Sequence, residues 1–249
     1  MGLLSMRELV QYISRFQPSY PGTVRPAPPG EIARLASLAG RPLPRSYRDF
    51  LETMGRSIGD FEPFDEQKDF SIQTVIDFYE AGKNLPPADY LFIAYDNGSV
   101  GLDLFLDQTD PKRESPVVEF ASDTPFDPAG CSPIFSSLPN MLLSLAFFRI
   151  RLPLFASRTT LFVLETIDWK ARSAISRLEA FVILAERMEF ELVPPTGAWS
   201  PCYDRGDAGI MCYQAPGYPP NFSLGATDEQ ELDRLAEILC DNLGLVRRD

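Results

Sequence analysis

The sequence predicts an α+β chain, a mixed helix/antiparallel-sheet domain followed by a smaller α+β module. Three observations carry this. Before residue 60, apolar side chains recur at helical spacing. Between 90 and 120, short runs of strand formers alternate with turn residues. Beyond 168 come a helical stripe, several short strands between Pro/Gly turns, and a last helical stripe, which together make a small second layer. With 249 residues, 45% of them apolar, and 18 Phe, the chain has material for a sizeable core.

Taken in order, Met6, Leu9, Val10 and Ile13 give a first helix. Five prolines in 17–29 then read as an extended arm or linker. Ile32, Leu35, Ala36 and Leu38 form a second helix stopped by Gly40. Pro44 suits the first turn of a third, whose stripe is Tyr47, Phe50, Leu51 and Met54 and whose end is Gly55. Residues 70–81 read as a strand or a short helix. Tyr90 to Tyr95 and Val100 to Leu106 flank the turn pair Asn97-Gly98, a hairpin signature, and 116–120 adds a strand. Helical spacing returns at 138–148, with Ser136 or Ser137 as cap. In the last hundred residues, Asp168 can cap a helix with the stripe Ile175, Leu178, Phe181, Val182, Ala185 and Met188. Strands are expected at 190–193, 199–203, 209–214 and 221–224. Thr227-Asp228-Glu229-Gln230 reads as a capping box for a final helix bearing Leu232, Leu235, Ile238, Leu239 and Leu243, closed by Gly244. The organisation expected is a helix and Pro-rich arm over 1–27, a main domain over 28–150 and a small module over 156–249.

Composition narrows the chemistry. The formal charge is −12, with 35 acidic and 23 basic residues, which argues against a nucleic-acid or anionic-membrane binder, since both need a basic face. Histidine is absent, which removes imidazole as a general base or metal ligand. Neither a P-loop nor a GxGxxG signature occurs. Cys131, Cys202, Cys212 and Cys240 show no CxxC spacing. A hairpin around 205–208 would bring Cys202 near Cys212, and two packed thiols are favoured there over a disulfide. The N-terminus lacks a signal-peptide pattern, and 142–155 is interrupted by Arg149, Arg151 and Pro153, so a cytoplasmic protein is expected.

The order of motifs from 29 to 148 resembles the SUKH superfamily, the Smi/Knr-like domains that include many bacterial immunity proteins. Ile32, Gly40, Leu43-Pro44, Tyr47, Phe50-Leu51 and then Gly55 and Gly59 match the family opening. Leu91 to Gly98 followed by Gly101-Leu102-Asp103 match its central hairpin, and Pro116-Val117 and Phe135-Ser136 its later strand and helix. Departures occur at Ala36, where the family often has an acid, and at Gly55-Arg56-Ser57-Ile58-Gly59, where it has a double glycine. The likeness spans about 120 residues and stops before 155.

Charge is unevenly placed. Residues 1–58 carry net +4, 59–130 net −12 and 131–249 net −4. Composition alone reads the acidic middle as solvated loops that aid solubility. Together with the resemblance, it reads as an electronegative face that steers a basic partner. The expected partner-binding residues are Asp60, Glu62, Asp65, Glu66, Asp69, Asp103, Asp107 and Asp110. Asp103, Asp107 and Asp110 lack the spacing of a calcium loop, so no metal and no cofactor are expected. The aromatic, Pro-rich stretch from Trp199 to Phe222 is expected to pack the second module. The resemblance implies a non-enzymatic immunity protein that neutralises a cognate protein toxin, a nuclease or deaminase, by covering its active site. An intracellular scaffold or regulatory domain is the alternative.

Overall fold

Helical stripes and strand runs assemble into two compact units in the computed structural model, Met1–Leu142 and Leu143–Asp249. The structure describes residues 5–64, 68–98, 101–121, 124–163, 174–193, 196–197 and 199–247. The expected cap Asp168 lies outside these.

In the first unit α1 (Met6–Ser14) opens with a reciprocal cap. The Glu8 amide donates to Ser5 Oγ, and the Ser5 amide donates to Glu8 Oε2 at 2.8 Å. Its buried stripe is Met6, Leu9, Tyr12 and Ile13. The Met6 amide also donates to Asp49 Oδ2 at 2.7 Å, fixing α1 to α3 (Arg45–Met54). Helix α2 (Pro29–Leu38) ends as expected, with Gly40 in the left-handed region at φ 67°. Helix α3 buries Tyr47, Phe50, Leu51 and Met54, the stripe that its 3.6-residue period predicts. Residues 70–81 resolve to a helix, α4 (Ile72–Ala81), because the Ser71 hydroxyl accepts from the Thr74 amide and starts the turn.

The proline-rich arm differs from expectation, since it is packed. Tyr20 is 1% exposed and its hydroxyl donates to Ile58 O at 2.9 Å. The Ala27 amide donates to Leu51 O, and Arg25 pairs with Ser57 as an isolated bridge. A buried aromatic and four backbone bonds to residues 51–57 outweigh the linker-like composition.

The sheet of this unit has antiparallel strands in the order β1 (Lys68–Asp69), β2 (Tyr90–Asp96), β3 (Leu102–Asp107), β4 (Val117–Ala121) and β5 (Ser132–Phe135). Leu91 faces Leu106 and Phe92 faces Phe105, after which a bulge at Ile93 shifts the register so that Ala94 faces Leu104. Phe78, Phe92, Phe105, Phe126 and Phe120 form a chain of ring contacts, with successive centroids 3.9, 5.5, 4.8 and 4.7 Å apart. Helix α5 (Leu138–Ala146), with Ser137 Oγ accepting from the Asn140 amide, leads out of the unit.

The second unit is built on a larger sheet than the sequence suggests. Its antiparallel order is β11 (Leu245–Arg247), β6 (Ser157–Val163), β10 (Asn221–Ala226), β9 (Ala208–Tyr213), β8 (Cys202–Asp204) and β7 (Glu191–Leu192). Helices α6 (Ala174–Arg187) and α7 (Glu229–Leu243) bury Phe181, Ala185, Leu232, Leu235 and Leu239 in its core. The cap of α7 is Asp228, which accepts from the Glu231 amide at 2.8 Å; the N-cap therefore sits one residue later than the expected Thr227, and the Glu231 carboxylate accepts from Arg205 and Arg234. Gly209 and Gly225 are register partners, and Phe155 lies over both. A Cβ on Gly225 would come within 2.6 Å of that ring. The Arg151 guanidinium stacks on the same ring at 4.1 Å and grips Asp204 with two bonds of 2.7 and 3.0 Å.

The register also settles the cysteines. Cys202 faces Met211, so Cys212 is offset by one residue and its side chain leaves the opposite face of the pleat. Both thiols are free and fully buried. The hairpin brings the two cysteines close in sequence register, but on faces that a disulfide would not join.

Candidate partner-binding surface

The acidic stretch after α3 starts at a tight backbone junction. Gly59 has φ 71°, and a Cβ there would lie 2.2 Å from the Thr23 hydroxyl, so this turn requires glycine. The next amide, of Asp60, donates to that hydroxyl at 3.3 Å. Beyond it the chain alternates. Phe61 and Pro63 are buried, while Asp60 and Glu62 are exposed. Phe64 continues the anchoring by stacking on Phe70, with ring centroids 6.4 Å apart. Two carboxylates thus project from a loop whose apolar residues are fixed in the core. The Tyr20 hydroxyl beneath it is pushed well above its ordinary pKa by burial and then by the charge of Asp60.

The other expected acids fall into three groups. Asp65 and Glu66 lie outside the described residues. Asp69 is half-buried and is used locally, accepting from the Ser71 amide at 2.8 Å and the Thr74 hydroxyl at 2.5 Å at the start of α4. Asp107 ends β3 and Asp110 sits on the loop that follows it. The first accepts from the Thr109 amide and hydroxyl, and the second pairs with Arg113 at 3.2 Å. Nearby, Glu114 accepts from the buried Ser46 hydroxyl at 2.9 Å. A cleft of about 350 Å³ beside this loop is lined by Arg45, Asp110, Arg113 and Glu114 among others. Its lining mixes both signs, so this loop is a weaker electronegative feature than its sequence suggests.

Asp103 does not reach the surface. It is 2% exposed, and its Oδ1 accepts from the Asp96 amide at 2.9 Å. A strand position flanked by Leu102 and Leu104 turns it inward beside Phe120, its register partner. It joins a cluster that the sequence reasoning did not assemble. Asp96 Oδ2 accepts from Lys68 Nζ at 3.1 Å and from the Leu102 amide at 2.8 Å, while Oδ1 accepts from the Gly98 amide at 2.7 Å. Lys68 Nζ also donates to Leu102 O at 2.7 Å, and the Lys68 and Asp96 side chains are 6% and 0% exposed. Burial works against the Asp96 charge, but the Leu102 and Gly98 amides and the Lys68 ammonium outweigh it and hold its pKa below the ordinary value. Burial pushes Asp103 up to about 6, and the Asp96 charge adds to this against the pull of the Asp96 amide and Lys68. The sequence did hold a signal: an Asp two residues before a Gly at a hairpin end is an Asx-turn pattern, in which the carboxylate serves backbone amides and not the surface.

Among the described residues, no three His, Cys, Asp or Glu side chains are placed to hold a metal ion, and no helix is long and apolar enough to cross a membrane. Comparison with curated proteins found no match. Residues 26–144 match the family described as the SMI1 / KNR4 family (SUKH-1). That span runs from just before α2 into α5 and includes all five strands of the first sheet. Through this segment the chain belongs to the SUKH superfamily.

Proposed function

We propose that this protein is a non-enzymatic immunity protein of the cytoplasm that binds a cognate bacterial toxin and neutralises it by covering its active site. The observation that carries the reading is the SUKH match over 26–144, which falls on the part of the chain holding the net −12 segment. A toxin that acts on nucleic acid, a nuclease or a deaminase, must attract phosphates and therefore presents a basic surface. Asp60 and Glu62, projecting from an anchored loop, together with Asp65 and Glu66 next in sequence, provide the matching charge. Asp107 and Asp110 flank it with less free charge. Asp69 and Asp103 act inside the fold and reach the partner only through the elements they hold.

Complementary fields raise association rates by roughly 10- to 1,000-fold, and salt removes that gain. The test is to purify this chain with the product of a neighbouring toxin-like gene and to follow association at low and high salt. Copurification with an association rate that falls in salt supports both the partner and the acidic surface. Copurification without salt dependence retains the partner and removes the electrostatic mechanism. Failure to bind a toxin of verified activity would exclude that toxin as the cognate partner.

A further inference from the structure

The turn end of the β2–β3 hairpin holds more buried negative charge than it has cations to balance. From β1 comes Lys68, from β2 Asp96, from β3 Asp103 and from β4 the half-buried Glu119. Lys68 is engaged with Asp96 and with the Leu102 carbonyl. Among the described residues Asp103 has no ion-pair partner; its one hydrogen bond is from the Asp96 amide. Neutral Asp103 keeps that bond, because Oδ1 still accepts. Ionised Asp103 keeps it too, but adds a second buried negative charge beside Asp96, with an aromatic ring as its cross-strand partner.

We propose that Asp103 makes the turn end of this hairpin a proton-responsive element, closed more firmly when its carboxyl is neutral than when it is charged. The groups that face it set the direction. Asp96 opposes its ionisation and Lys68 favours it, with burial the largest influence, so that its pKa is pushed up to about 6. Glu119 is raised as well, by burial first, with Lys68 opposing and Asp96 adding. A carboxyl whose pKa is raised in the closed form contributes stability that is complete below its ordinary value and is lost as pH rises through the raised one. Asp96 is shifted the other way, so its contribution changes only at pH below the ordinary carboxylate range. Between pH 5 and 7.5 the hairpin end therefore loosens as pH rises.

Amide hydrogen exchange at Asp96 and Leu102 tests this in the full chain at pH 5 and pH 7.5, with rates corrected for intrinsic chemistry. Protection in the wild type is expected to fall by about tenfold, the equivalent of one pKa unit of differential proton binding. In Asp103→Asn, which keeps the acceptor, most of that fall disappears, and Asp103→Asn with Glu119→Gln removes the rest. An equal fall in Asp103→Asn, or no fall in the wild type, overturns the proposal. A second readout needs no variant. The side-chain carboxyl carbon of Asp103 should titrate with a midpoint near 6, and a midpoint at the ordinary aspartate value contradicts the assignment.

Discussion

Replacing Asp96 by alanine removes three hydrogen bonds at once, those from the Gly98 and Leu102 amides and from Lys68 Nζ. The Lys68 side chain, 6% exposed, is left buried with the Leu102 carbonyl and the face of the Phe64 ring as its direct partners. Breaking a buried pair by removing one member costs about 3–5 kcal/mol, because the remaining charge loses its hydrogen-bonded counter-ion. The two stranded amides belong to the same network and are not added separately. A loss of about 3–5 kcal/mol is therefore expected in the first unit at pH 7. Lys68→Met should cost a similar amount for the mirror reason, since it leaves Asp96 and Asp103 without their cation. The double variant Lys68→Met/Asp96→Ala should lose clearly less than the two single changes summed, by at least about 1 kcal/mol of coupling. Urea unfolding followed through the amide signals of β2 and β3 measures all three. A loss under about 1 kcal/mol for Asp96→Ala, or strict additivity in the cycle, would refute the view that this pair organises the hairpin.

Three further outcomes are expected. Gly225→Ala forces a Cβ to within 2.6 Å of the Phe155 ring and should cost about 1–3 kcal/mol by overpacking. Tryptophan fluorescence reads this, since Trp199 lies in the second unit, and an unchanged urea midpoint would contradict the close approach. Tyr20→Phe leaves the Ile58 carbonyl without its donor and should cost about 1 kcal/mol, whereas Tyr20→Ala should cost about 3–5 kcal/mol; equal losses would mean that the ring contributes nothing. Glu231 is held down to about 2 by hydrogen bonds from Arg234 and then Arg205, so its contribution is present above the ordinary carboxylate value and lost as pH falls toward 2. Glu231→Gln should lower the stability of the second unit by about 1–2 kcal/mol at pH 7 and flatten its acid dependence between pH 4.5 and 2, and equal stability at neutral pH would discard the pairing.

The parts of the fold legible in the sequence are those where one physical signal dominates. The α3 stripe, the Gly40 stop and the β2–β3 hairpin each follow from periodicity or turn chemistry alone. Strand β6 was hidden because its first half, Ser157-Arg158-Thr159-Thr160, is polar; it becomes a strand by pairing with both β10 and β11, which no local signal announces. Strand β5 begins Ser-Pro and resembles a loop until β4 supplies its partner. In the arm, the prolines masked a single anchoring tyrosine. For the candidate surface, counting carboxylates located the right region but could not separate outward charge from structural charge. Asp60 and Glu62 alternate with buried Phe61 and Pro63, a period-two pattern visible in the sequence. Asp103 follows the same strand period into the interior, and that depends on which face of the sheet is covered.

The immunity reading is tested most directly by survival. Cells expressing the neighbouring toxin should grow when this chain is co-expressed and die when it is absent, and Asp60→Lys with Glu62→Lys should weaken the rescue without unfolding the protein. Death of cells that contain the folded wild-type chain and a stable complex with that toxin would contradict neutralisation by occlusion.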